Sequence, residues 1–173
     1  MDSELFLTID NLRQAGFRGF FSVSDLWQDS SVIPDIKGIY MAVRPKNTVP
    51  AFLARGTGGI FKGKDPNISL DELRRKWVNG TCVVYIGQAG GIRNGVQPRA
   101  TLRSRLKQYL RFGQGKSAGH QGGCYIWQLK DAGNLLFCWK PLPERDPRAE
   151  EAALIASFKK CYDGRLPFAN RQK

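Results

Sequence analysis

The hydrophobic pattern divides the chain into short periodic segments separated by proline- and glycine-rich turns. Residues 38–43, Gly-Ile-Tyr-Met-Ala-Val, and residues 81–87, Thr-Cys-Val-Val-Tyr-Ile-Gly, predict strands, being rich in β-branched and aromatic side chains. Residues 124–129 and 135–140 have the same character. They flank Asp131-Ala132-Gly133-Asn134 and predict a hairpin pair. Helical spacing predicts elements over residues 3–15, 22–29 and 69–77, the second capped by Ser22 or Ser24 and the third opened by Ser69. Leu102, Leu106, Tyr109 and Leu110 form the apolar side of a helix over 99–112, with Gly113 closing it. Asp146 and Pro147 start the last helix as N-cap and first residue, and Gly164 stops it. The expected fold is α+β: a small, mostly antiparallel sheet of three to four strands flanked by helices. Residues 1–37 read as an N-terminal helical extension. Residues 44–66 read as exposed, within an insertion over about 44–80.

Composition narrows the partner. At 173 residues the chain is sized for one domain with a substantial core. Its 27 Lys and Arg against 15 Asp and Glu leave a net charge of +12, which favours a polyanion. The charge is also segregated. No acid occurs from Leu73 through Lys130, while Arg93, Arg99, Arg103, Lys107, Arg111 and Lys116 all fall there. These residues, with Lys62 and Lys64 of the insertion, are the candidate nucleic-acid contacts. Arg103 and Lys107 are expected to point toward solvent. The four cysteines show neither CxxC nor zinc spacing; Cys82, Cys124 and Cys138 read as core residues, in a reducing, cytoplasmic setting. No signal-peptide pattern and no membrane-length apolar run is evident.

Few residues invite chemistry. Glu151 shares the helical stripe of Leu154, Ile155, Phe158 and Tyr162, whereas Glu150 is rotated toward the flank. A carboxylate in an apolar stripe calls for an ion pair or a bound cation. Arg105 borders the core between Leu102 and Tyr109, as a structural clamp or as a stabiliser of charge on phosphate. Strand alternation allows Tyr40 and Tyr85 to share a face. His120, the only histidine, lies in a glycine-rich loop and reads as a backbone-bonding or phosphate-contacting residue. Gly58 to Lys64 nearly matches a P-loop, but Asp65 stands where Ser or Thr must bind the metal, which excludes that reading.

Gly38-Ile39-Tyr40, Tyr85-Ile86-Gly87, the helix carrying Arg105, Glu151-Ala-Ala-Leu-Ile and Asn170 occur in one order across residues 38–170. In that order the chain resembles the GIY-YIG nuclease superfamily. The resemblance implies a DNA endonuclease, a phosphodiester hydrolase using one Mg²⁺ or Mn²⁺. It implies Tyr40, Tyr85, Arg105 and Glu151 as catalytic residues, with Glu151 as the metal ligand. Tyr109 and Asn170 would support them, with His120 nearby. The chain departs from the family pattern in the long gap between Tyr40 and Tyr85, the long stretch from Glu151 to Asn170, and the added residues 1–37. None of these removes a candidate catalytic group. A non-cleaving DNA- or RNA-binding protein on the same fold is the alternative. One site per domain cuts one strand per visit, so double-strand cleavage would need a homodimer or two visits.

Overall fold

The structure is a computed structural model that describes residues 4–60, 63–117 and 124–171. Among the described residues four antiparallel strands form one sheet: β1 (Arg18–Ser22), β2 (Gly38–Val43), β3 (Val83–Ala89) and β4 (Leu136–Pro141), in spatial order β1-β4-β2-β3. Among the same residues five α-helices flank them: α1 (Ile9–Gln14), α2 (Val23–Gln28), α3 (Leu70–Lys76), α4 (Leu102–Gly113) and α5 (Pro147–Cys161). The α+β class is as expected. No helix among the described residues is long and apolar enough to cross a membrane.

Every residue of β2 is buried because the sheet is covered on both faces. Tyr40 and Ala42 join a core with Leu102, Leu106 and Tyr109 of α4. Ile39, Met41 and Val43 join a second core with Phe6, Leu12 and Phe158 of α5. Cys82, Cys124 and Cys138 are buried and unbridged, in keeping with a packing role. Burial pushes the Cys82 thiol up to about 11.

Three segments differ from the sequence reading. The N-terminal segment is not wholly helical, because Arg18–Ser22 becomes an edge strand paired with β4. A bulge at Gly19–Phe21 interrupts this pairing, and Phe20 adopts φ +62° there. Residues 124–129 do not form a hairpin with β4. Ile126–Gln128 is a 3-10 turn, and β4 pairs with β1 and β2 instead. Finally, most described residues of 44–66 are exposed as read, but parts of the segment are docked. Arg44 is buried and pairs with Asp131 at 2.9 Å. The Gln128 side-chain amide donates to Leu53 O and Ile68 O and accepts from Ile68 N. The backbone and side chain of Gln128 are thereby committed to this segment, which accounts for the lost strand.

Candidate active site

Strand pairing brings Tyr40 and Tyr85 together. In the β2–β3 register Tyr40 lies opposite Gly87 and Tyr85 opposite Ala42, so the phenols sit diagonally on one face. Their ring centroids are 5.9 Å apart, and Tyr109 of α4 closes a triangle at 6.4 Å from Tyr40 and 5.4 Å from Tyr85. The Tyr40 and Tyr85 hydroxyls share a hydrogen bond. Gly87 makes the room. A Cβ there would come within 2.7 Å of Tyr40 Cζ and of Tyr85 Cε1, and 2.8 Å of the Tyr40 Oη. The sequence quotes Gly87 in its motif without a role, and only the register reveals one.

Tyr85 is the hub. Its phenol feels the negative charge of Glu151 and the positive charge of Arg105 as well as the Tyr40 hydroxyl. Burial above all, then Glu151, pushes Tyr85 up to about 12, against the pull of Tyr40 and Arg105. Tyr40 is fully buried and is pushed well above the ordinary phenol range, chiefly by desolvation and then by Tyr85 and Tyr109, with Arg105 acting the other way. Tyr109 is raised for the same first reason. Burial thus favours the protonated, hydrogen-bonding form of all three phenols.

Helix geometry positions the charged pair. Thr101 accepts from Ser104 N and Ser104 Oγ from Thr101 N, a capping box that fixes the start of α4 one residue before Leu102. Arg105 follows on the half-buried flank. Asp146 caps α5 as read from sequence, and its carboxylate also accepts from Ile92 N at 2.9 Å, tying that cap to the loop after β3. Glu151 is half-buried on α5, while its neighbour Glu150 turns away to pair with Arg145 at 2.9 Å. Asn170 accepts from Ile86 N at 2.9 Å and donates to Ile86 O at 2.8 Å. With Ala169 N donating to Val84 O, the C-terminal segment lies along the outer edge of β3 and holds Tyr85 in place.

The candidate nucleic-acid contacts separate into groups. Lys64, Arg93, Arg99, Lys107, Arg111 and Lys116 are exposed. Arg93 and Val96 bracket a tight Asn94-Gly95 turn between β3 and α4. Arg103 does not point to solvent. Its guanidinium donates to Ile33 O at 2.8 Å and Ser31 O at 3.2 Å, with Asp35 at 3.8 Å, so it clamps α4 to the preceding loop. Lys62 and His120 lie outside the described residues.

Among the described residues no group of three or more His, Cys, Asp or Glu side chains gathers at one point. The donor set at this site is one carboxylate beside neutral phenols. It suits a hard oxygen-loving cation that keeps waters and takes phosphate oxygens as further ligands, and does not suit zinc. No protein-family model, curated protein or solved structure matches this chain.

Proposed function

We propose that this protein is a GIY-YIG-type endonuclease that hydrolyses DNA phosphodiester bonds, with Glu151 holding one Mg²⁺ or Mn²⁺. What carries the reading is the convergence on Tyr85 of Tyr40, Arg105 and Glu151, residues from three different elements. A divalent ion bound there supplies Lewis acidity toward a phosphate oxygen and its bound water. Arg105 balances the charge that grows on the phosphate, with a fork of donors suited to its oxygens. Tyr85 donates its hydroxyl to the water or the phosphate and orients it. Tyr40, out of contact with solvent, acts through Tyr85 by fixing the direction of that hydroxyl. Water forms the new P–O bond and gives up a proton to solvent, the bond to the leaving sugar oxygen breaks, and that oxygen takes up a proton from solvent. Arg93, Arg99, Lys107 and Arg111 are exposed and suit the DNA backbone.

The test is incubation of purified protein with supercoiled plasmid, in Mg²⁺ and in chelator, beside Glu151→Gln. Cleavage that needs metal and falls at least about a hundredfold in the variant is the expected result. Undiminished cutting by Glu151→Gln would overturn the assignment of Glu151. Tight, salt-sensitive DNA binding with no cleavage of plasmid or branched substrates would favour the non-cleaving alternative.

A further inference from the structure

A second cluster of basic residues lies away from the phenols, on the outer edge of β3. There a cleft of about 290 Å³ is lined by Arg75 and Lys76 from the end of α3 and by Arg165, Pro167, Phe168 and Asn170 from the segment after α5. It is roomy beside the ~30 Å³ that one water occupies in the liquid. None of its lining residues is acidic. None of the ion pairs among the described residues involves Arg75, Lys76 or Arg165. Glu72, one turn before Lys76, accepts the Tyr125 hydroxyl at 3.2 Å.

Part of this charge has a local use, since cations in a last helical turn offset the partial negative charge of the helix end. Arg74, which pairs with Asp71 at 3.3 Å, is in that turn as well. Arg165 comes from a different segment, however, and its guanidinium donates to Arg75 O, which draws a further positive charge into the same cleft. Gathering like charges from two segments is unfavourable unless an anion offsets them. One wall of the cleft is Asn170, the residue that grips Ile86 between Tyr85 and Gly87.

We propose that this cleft binds a backbone phosphate of the nucleic acid whose scissile phosphate lies at Tyr85, through Arg75, Lys76 and Arg165. The strand then runs from the phenol-bearing face of β3 over its edge. This rests on the proposed function for the polymer's identity, but not for the anion site itself. The assignment also gives the long stretch between Glu151 and Asn170 a use, since that stretch supplies Arg165 and the cleft wall.

The test uses the full chain without divalent metal. Backbone amide shifts are followed by NMR on addition of inorganic phosphate and then of a short DNA duplex. DNA affinity is measured against salt for the parent, Lys76→Gln and Arg75→Gln/Lys76→Gln, with thermal melts to confirm folding. The expected result is shifts at residues 75–76 and 164–168 with both ligands. The double variant should bind about three- to tenfold more weakly, with a salt slope lower by roughly one. Shifts confined to other regions, or an unchanged slope in folded variants, would overturn the cleft assignment while leaving plasmid cleavage intact. Conversely, these shifts in a protein that never cleaves would sink the nuclease reading and leave the cleft standing.

Discussion

At the scale of single residues, the site depends on one missing side chain and on several protons that do not leave. Gly87 is the only residue that lets both phenols lie where they do, because any Cβ there overlaps Tyr40 and Tyr85. Gly87→Ala is expected to cost about 1–3 kcal/mol of stability, as overpacking does. It should lower cleavage by more than that loss explains, since the Tyr40–Tyr85 hydrogen bond must shift. Chemical denaturation beside kcat/KM measures both; a stable, fully active variant would contradict the packing argument. The tyrosines also set the alkaline limit. Tyr85 sits near 12 in the fold against about 10 for a free phenol, and Tyr40 and Tyr109 move the same way. The folded chain thus holds protons that the unfolded chain releases. The stability these phenols contribute is intact below about pH 10 and falls as pH rises toward about 12. Ultraviolet titration should show these three phenols ionising only with unfolding, and pH–rate profiles should show no phenol inflection between about pH 6 and 9. An inflection there that Tyr85→Phe removes would mean that a phenol acts as a base after all.

At the scale of elements, legibility tracked how local the determining contacts are. The capped start of α5 at Asp146-Pro147 was readable because cap, proline and apolar stripe lie within a few residues. So was β2, whose apolar run reflects burial on both faces. The strand β1 was not, since its partner is β4 near the other end of the chain and Gly19 interrupts its pattern. Residues 124–129 have strand composition, yet Gln128 spends its amide on the 53–68 segment, a contact no local pattern contains. Arg103 looked solvent-facing for the same reason, as its acceptors are carbonyls of a separate loop. Among candidate site residues, Asn170 shows how a distant element can be fixed by one side chain. Its amide makes both hydrogen bonds that a neighbouring strand would offer Ile86. Asn170→Ala leaves those buried groups without partners and should cost about 1–3 kcal/mol. Hydrogen exchange is expected to quicken at Ile86 before any other amide of β3, whereas unchanged protection there would mean that the brace is dispensable.

At the scale of the whole molecule, the sheet order places β3, with Tyr85, at one edge, lined by residues 169–170, and β1 at the opposite edge. The proposed catalytic residues come from α4, α5, β2 and β3 and interact through Tyr85, so the proposed nuclease would offer one site per chain for one phosphodiester. The strands of a duplex run antiparallel, and a single asymmetric site cannot address both without release or a second copy related by two-fold symmetry. On the proposed function, the exposed cations would contact phosphates, which carry no sequence information, so they would give no reason for the second cut to follow the first. Nicked circles are therefore expected to accumulate before linear plasmid, with the rate of nicking proportional to protein concentration. A time course on supercoiled plasmid over a wide range of protein concentration, read by gel, decides this. If linear product appeared first, with a second-order dependence on protein, two copies would be acting together, and the working unit would be a dimer assembled on DNA.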